Sequence, residues 1–234
     1  MKQIVILLMS LFSLQCYAQN KDTISINPGA KNRIYTKQLY SPSSLIIAGV
    51  FSEIKFGKSL DAVLYRERNM NFPRFQSTID NYLQYSPILL AYGFDALGMT
   101  SKTDILNRSV ILLKSEVLMS GSVTLLKYTI REPRPDGSAR NSVPSGHTAQ
   151  AFAAATFLSE EFGKEYRWVP YCSYSIASTV GAMRIMNNRH YLSDVLIGAG
   201  IGILSTKVSY WTHRYNWGEK KKQYHHSLHA SNQL

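Results

Sequence analysis

Apolar residues recur at helical spacing along most of the chain, and no stretch keeps the two-residue alternation of a β-strand. Proline, glycine and charged residues separate the apolar segments. The pattern predicts helices over residues 85–97, 104–128, 149–158, 168–186 and 191–210. Before them come a short apolar run that follows Ser41-Pro42 and an amphipathic segment over 59–82. The sequence therefore predicts an all-α protein with a single bundle of about six helices.

The last predicted helix, over 191–210, contains three glycines at every second position. They are Gly198, Gly200 and Gly202. Glycine weakens an isolated helix, but it lets neighbouring helices approach closely, and it is commoner in membrane helices than in soluble ones. The spacing thus indicates tight helix packing in or near a bilayer.

Two charged residues, Lys114 and Glu116, interrupt the long helix over 104–128. Because charges are costly against lipid, we expect both side chains to face a polar interior or an interface. No apolar run reaches the length of about 20 residues that a clear membrane span requires. The pattern leaves two arrangements open: short or partly polar membrane helices, and a water-soluble bundle of buried helices.

Both ends of the chain differ from this helical region. Residues 1–18 are typical of a secretory signal peptide, since a lysine precedes an apolar run and Ala18 suits cleavage. Residues 19–40 are polar and predict a flexible lead-in, so we expect the folded domain over 41–212. Residues 213–234 form a basic tail whose three histidines we interpret as solvated rather than metal-binding.

The formal net charge is +11, from 26 Lys and Arg residues against 15 Asp and Glu. This excess indicates an acidic partner, which is a nucleic acid, an anionic membrane surface or a phosphorylated substrate. Once the signal peptide is removed, Cys172 is the one remaining cysteine, so no intramolecular disulfide is expected.

The stretch Pro144-Ser145-Gly146-His147-Thr148 precedes an apolar run and predicts a loop that turns into a helix. The first backbone N–H groups of a helix have no intrahelical partner and carry the positive end of the helix dipole. A helix start with an imidazole beside it is therefore a candidate anion site.

Three segments with charged residues follow one another along the chain. They are Lys127-x6-Arg134-Pro135, Pro144-Ser145-Gly146-His147 and Arg184-x5-His190-x3-Asp194. In order and spacing they resemble the signature of the phosphatidic acid phosphatase type 2 family, the PAP2/haloperoxidase superfamily, over roughly residues 85–210. The resemblance implies a PAP2-type helical bundle embedded in a membrane. The family usually has Ser before the third-motif Arg, where this chain has Met183 and so lacks one hydrogen bond.

These residue types suit phosphoryl transfer. Lys127, Arg134 and Arg184 can hold phosphate oxygens, the two arginines in a bidentate way. His190 and Asp194 are four residues apart at a helix start and so share one face. Asp194 can accept from the Nδ1–H of His190, which leaves Nε2 free as a nucleophile.

His147 is then the expected general acid for the leaving oxygen, and the N–H groups of Ser145 and Gly146 are expected to bind the transferring phosphoryl group. The resemblance implies a phosphohistidine intermediate without a metal or other cofactor. All three segments fall where predicted helices end or begin, so we expect them to meet at one end of the bundle.

The resemblance implies a metal-independent lipid phosphatase that acts on a phosphomonoester or pyrophosphate. The signal peptide favours an inner-membrane protein whose active site faces the periplasm, with lipid A or undecaprenyl pyrophosphate as substrate and no nucleic-acid partner. Two enzymatic alternatives stay open, namely a soluble periplasmic acid phosphatase and a vanadate-dependent haloperoxidase. The non-enzymatic alternative is a basic protein that binds anionic lipid or nucleic acid without turnover. Oligomeric state does not follow from these motifs.

Overall fold

The computed structural model describes residues 28–53 and 59–214, with side chains in the first helix described over 38–52. The described helices are α1 (Pro28–Glu53), α2 (Leu60–Asn71), α3 (Asp80–Leu83), α4 (Ser86–Ala96), α5 (Ile105–Ile130), α6 (Gly146–Phe162), α7 (Val169–Met186) and α8 (Leu192–Trp211). No β-strand occurs in these ranges, which confirms the all-α prediction, although eight helices replace the expected six or so. The predicted signal peptide and residues 215–234 of the basic tail lie outside the described residues.

The first helix corrects the predicted start of the folded domain. α1 begins at Pro28 and continues through Pro42, so the predicted helix start at Ser41 is wrong, and residues 28–40 of the expected lead-in are helical. A proline inside a helix removes one backbone hydrogen bond and disfavours continuation. However, α1 packs along α8 so closely that a Cβ at Gly200 would lie 2.7 Å from the Pro42 carbonyl oxygen. Tertiary packing therefore outweighs the local preference.

The amphipathic segment before the long helices consists of α2, a loop over 72–79 and α3. Two side chains tie this loop to the end of α7. Arg68 donates from Nε and Nη2 to the Met186 carbonyl, at 2.9 and 2.7 Å. Asn187 accepts from the Ser77 N–H and donates to the Ser77 carbonyl, both at 2.8 Å. The loop is thus held against the end of the bundle where α7 finishes.

α8 lies at the centre of the bundle and packs against α1, α5 and α6. The glycines at every second position of α8 allow close helix packing on two sides of the helix. A Cβ at Gly198 would lie 2.6 Å from the Ser145 carbonyl oxygen, and one at Gly202 would lie 2.2 Å from a carbonyl oxygen of α6. A Cβ at Gly200 would meet α1 instead. The prediction that these glycines permit close helix packing is confirmed.

α5 differs from α8 in what it exposes. Its polar residues meet partners, since Lys114 Nζ donates to Thr212 Oγ1 at 2.9 Å and Glu116 accepts from Gln150 Nε2 at 2.8 Å. This confirms that both charges avoid an apolar environment. Along the rest of α5 a row of large apolar side chains is exposed, including Leu113, Val117, Leu125 and Tyr128. By length and composition, α5 and α8 are the two described helices able to cross a membrane, although α8 is mostly buried inside the bundle.

The three sequence motifs meet at one end of the bundle, as predicted. The Ser145 N–H donates to the Asp194 carbonyl at 3.0 Å, which joins the starts of α6 and α8. At the opposite end, the N–H and hydroxyl of Thr103 donate to the Glu161 carboxylate at 3.0 and 2.8 Å, joining the start of α5 to the end of α6. Trp168, just before α7, lies at that opposite end.

Candidate active site

Local capping fixes where the two motif-bearing helices begin. Ser145 Oγ accepts from the Thr148 N–H at 3.4 Å, and Asp194 Oδ2 accepts from the Tyr191 N–H at 2.9 Å. The Ser145 N–H donates to the Asp194 carbonyl at 3.0 Å, and its contact with phosphate stays a prediction. Gly146 begins α6, and its N–H belongs to the first-turn donors that helix geometry leaves unpaired.

A cleft of about 910 Å³ opens at this end of the bundle. One wall is the loop over 72–79, and the other contains three of the predicted site residues, Arg134, His147 and Arg184. Arg189 also lines the cleft and pairs with Asp136 at 3.0 Å. The size is that of a small-ligand pocket, and its lining is rich in cations.

Both motif arginines line this cleft, and each has a buried Nε without a partner among the described residues. Arg184 Nη1 lies 2.6 Å from Asp80 Oδ2, in an ion pair whose aspartate is fully buried. The Nε atoms of Arg184 and Arg134 are buried and have no hydrogen-bond partner among the described residues. A buried donor without a partner costs about 1–3 kcal/mol. The two guanidinium groups bring positive charge to one cleft, so the arrangement suits a bound anion.

His147 stands in the first turn of α6, outside the two candidate membrane helices. Its Nε2 lies 2.9 Å from Asn81 Oδ1, and because that oxygen can only accept, Nε2 carries the proton. Burial lowers the pKa of His147 to about 4, with a further contribution from the nearby Arg184 charge that Asp80 partly opposes. The imidazole is therefore neutral at pH 7.

His190 and Asp194 form the pair that their spacing predicts. His190 Nδ1 lies 3.4 Å from Asp194 Oδ2, and the same oxygen accepts from Ser142 Oγ at 2.5 Å. Burial lowers the pKa of His190, and the Asp194 hydrogen bond opposes that shift. Asp194 is fully buried, and its Oδ1 has no partner among the described residues. A neutral imidazole with its proton on Nδ1 leaves Nε2 with a free lone pair.

Five predicted residues do not line the cleft, namely Lys127, Ser145, Gly146, His190 and Asp194. His190 is 3% exposed and borders a separate narrow space next to Tyr65 and Asn188. Lys127 donates from Nζ to the carbonyls of Asn141 and Ser142 and lines a second cavity. The positive charges of Lys127 and Arg184 nevertheless both lower the pKa of His190. The structure thus places Arg134, Arg184 and His147 at the cleft surface, with His190 and Asp194 beneath.

Sequence reasoning missed three residues of this site. Asp80 and Asn81, in α3, hold Arg184 and His147, and Ser142 donates to Asp194. An Asp-Asn pair at the start of a short amphipathic helix carries no chemical signal of its own. Ser142 lies two residues before Pro144, and its closeness to the second motif is the one sequence feature that marks it as a candidate.

Met183 stands where the family usually has Ser, and its half-buried thioether supplies no hydroxyl to the site. Arg184 is held instead by the Asp80 carboxylate. Within residues 28–53 and 59–214, no three His, Cys, Asp or Glu side chains are grouped as metal ligands. The tail histidines at 225, 226 and 229 lie outside those ranges.

Comparisons with known proteins connect this geometry to a family. Residues 108–218 match the sequence model of the PAP2 superfamily. The lipid A 1-phosphatase of Porphyromonas gingivalis is 40% identical over 58% of this chain, and the match covers 31% of that protein. The probable diacylglycerol pyrophosphate phosphatase 1 of Schizosaccharomyces pombe is 30% identical over 54% of this chain and 60% of that protein. The chain spans less than two thirds of either relative.

Among solved structures, the crystal structure of Aquifex aeolicus LpxE aligns with this chain at a TM-score of 0.51. The alignment covers 68% of this chain and 98% of that one, at 23% sequence identity. The two chains share a helical fold.

Proposed function

We propose that the chain is a member of the PAP2 superfamily and a metal-independent phosphatase that hydrolyses a phosphomonoester or pyrophosphate carried by a lipid. One observation carries this proposal. Arg134 and Arg184 line one cleft beside His147, and their buried Nε atoms lack partners among the described residues. Two guanidinium donors next to a titratable imidazole suit a tetrahedral anion that must also receive or lose a proton.

In the first half-reaction, Arg134 and Arg184 hold the phosphoryl oxygens while His190 Nε2 attacks phosphorus. The new N–P bond forms as the P–O bond to the lipid breaks, and His147 gives its proton to the departing oxygen. Asp194, bonded to Nδ1 of His190, stabilises the positive charge that develops on the attacking ring. The product is a phosphohistidine and a lipid alcohol, or a lipid monophosphate if the substrate is a pyrophosphate.

In the second half-reaction, the now neutral His147 takes a proton from water, and the resulting hydroxide attacks phosphorus. The N–P bond breaks, which releases inorganic phosphate and returns His190 to its neutral form. The guanidinium groups supply the charge neutralisation that Mg²⁺ provides in many phosphoryl-transfer enzymes.

Membrane insertion is supported by α5, which is long and apolar enough to cross a membrane and exposes an apolar face. We place the protein in the inner membrane with the site facing the periplasm. Trp168 and Trp211 lie at the end of the bundle opposite the site, where an aromatic belt at the other interface is expected. Lipid A is the substrate we favour, because the relative with 40% identity is a lipid A 1-phosphatase.

Phosphate release from a lipid panel tests the proposal. Purified protein in detergent should release phosphate from at least one of lipid A, undecaprenyl pyrophosphate and phosphatidylglycerol phosphate, and His190→Ala should abolish the release. His213→Ala, which alters a buried histidine at the opposite end of the bundle, is the matched control. Full release by His190→Ala would contradict the assignment.

The same preparation separates the alternatives. Extraction without detergent would favour a soluble acid phosphatase, and halide oxidation on addition of vanadate would favour a haloperoxidase. Salt-sensitive lipid binding that survives His190→Ala, without release from any substrate, would indicate a binding protein.

A further inference from the structure

A second cavity, of about 490 Å³, lies at the end of α5 and has no lining residue in common with the catalytic cleft. We call it the basic cavity. It is lined by Thr124, Lys127, Tyr128, Arg131, Arg140 and Asn141. No carboxylate is among these lining residues, whereas three of them are cations. The loop over 131–142 contributes Arg134 and Asp136 to the catalytic cleft and Arg131, Arg140 and Asn141 to the basic cavity.

The two arginines of the basic cavity are unpaired. Within the described residues, neither Arg131 nor Arg140 forms an ion pair, unlike Arg184 and Arg189 at the cleft. Arg131 Nε donates to the Tyr128 carbonyl at 3.1 Å, which leaves its terminal amino groups for other acceptors. Like charges around one cavity repel one another, so the arrangement favours a bound anion.

One further observation points to a ligand. Asn141 Oδ1 is buried and has no hydrogen-bond partner among the described residues, so a donor in the cavity would satisfy it. An anion with a neighbouring hydroxyl would meet both the cations and the unpaired acceptor.

The surroundings of the cavity indicate that the anion is a lipid phosphate. Leu125 and Tyr128 are 68% and 72% exposed, and Ile130 is also exposed, so an apolar surface runs along α5 up to the cavity. Phosphate groups sit where the apolar surface of a membrane protein ends, and each nearby Arg or Lys attracts anionic lipid by about 1 kcal/mol. A tyrosine at the same level is typical of the membrane interface.

We propose that the basic cavity binds the phosphate of a lipid whose headgroup carries a hydroxyl, with the acyl chains along the exposed face of α5. The proposal rests on the membrane location given under the proposed function. The phosphate has two possible sources, a separate anionic lipid such as phosphatidylglycerol or a second phosphate of the substrate lipid itself. The residues that recognise it are the same in both cases.

The test compares the double variant Arg131→Gln/Arg140→Gln with wild-type protein. The control, Arg66→Gln/Arg167→Gln, removes the same charge from exposed positions elsewhere. Native mass spectrometry in detergent compares the amounts of phosphatidylglycerol and phosphatidylcholine that each variant binds. Steady-state kinetics give the KM for bisphosphorylated lipid A and the KM for monophosphorylated lipid A, and the ratio of the two is compared between variants. Arg140→Gln alone is the second variant, because Arg131 also caps α5.

Loss of two charge-assisted contacts should weaken binding about tenfold to a hundredfold. If the source is a separate lipid, the double variant loses its phosphatidylglycerol adducts and keeps its KM ratio. If it is a second substrate phosphate, KM for the bisphosphorylated lipid rises at least about tenfold relative to the monophosphorylated one. Adducts and KM ratios equal to those of the control variant would overturn the proposal.

Hydrolysis of water-soluble p-nitrophenyl phosphate distinguishes this failure from that of the proposed function. The double variant should retain this activity within about twofold, because neither arginine lines the catalytic cleft. Absence of this activity and of lipid hydrolysis in wild-type protein would count against the phosphatase itself.

Discussion

Anion binding in the cleft should change the protonation of His147. Burial and the Arg184 charge lower the pKa of His147 to about 4. At pH 7 about one molecule in a thousand then carries the imidazolium form that a general acid needs. A bound dianion is the perturbation, and sulfate is a suitable probe because it stays a dianion throughout this pH range.

The expected size of the change follows from simple electrostatics. Only one of the two charges of the dianion is counted here. At about 4 Å from the imidazolium, that charge stabilises the imidazolium by about 4 kcal/mol at an effective dielectric constant of about 20. Since one pKa unit corresponds to about 1.4 kcal/mol, the pKa of His147 should rise by about three units, to near 7. Substrate phosphate would thereby protonate its own general acid.

The sign of the pH dependence follows by reciprocity. If sulfate raises the pKa of His147, protonation of His147 must strengthen sulfate binding by the same factor. Affinity should therefore be highest near pH 4 and decline by up to about a thousandfold as the pH rises through 7. His190 stays neutral over the upper part of this range, because burial lowers its pKa below the ordinary value.

Two measurements check this prediction. NMR of protein with ¹³C-labelled histidine follows the imidazole signal of His147, assigned with His147→Gln, with and without sulfate. Isothermal titration calorimetry gives the sulfate affinity at each pH. A pKa near 6.5 in the empty site, or a sulfate affinity that does not depend on pH, would refute the reasoning.

Three other predictions concern the support of the site. Asp80→Asn removes one partner of a buried ion pair and should lower the free energy of unfolding by about 3 kcal/mol, with part of the loss restored by sulfate in thermal melts. Ser142→Ala should reduce kcat about tenfold to a hundredfold with little change in KM, because Asp194 loses a hydrogen bond; an unchanged kcat would exclude this support. Gly198→Ala and Gly200→Ala should each cost about 1–3 kcal/mol in chemical denaturation, but only the first should also impair activity, because it displaces the start of α6. Equal activities of the two glycine variants would contradict that distinction.

Much of this architecture follows from local sequence signals. The helices from residue 86 onward lie close to their predicted bounds because apolar periodicity and capping residues mark them. Ser145 caps α6, and Asp194 accepts a backbone N–H in the first turn of α8. The second and third motifs therefore lie at helix starts. The charges of Lys114 and Glu116 were expected to find polar partners, and they do.

The contacts that local signals do not encode are those between distant segments. Asp80 meets Arg184 across 104 residues, and Asn81 meets His147 across 66. Neither pairing follows from spacing within one helix, so α3 was not expected at the site. The start of α1 was misplaced for a similar reason, because packing against α8 holds a helix through Pro42. The engagement of the Ser145 N–H also depends on the neighbouring helix.

Trapping the phosphorylated protein tests the central claim most directly. Wild-type protein mixed briefly with ³²P-labelled substrate and denatured should retain label that is stable in base and labile in acid, as expected of phosphohistidine. Peptide mapping should place the label at His190, and His190→Ala should retain none, while His147→Ala should accumulate label from a substrate with a good leaving group. Turnover of wild-type protein without a labelled intermediate, or label at another residue, would contradict the assignment of His190 as the nucleophile.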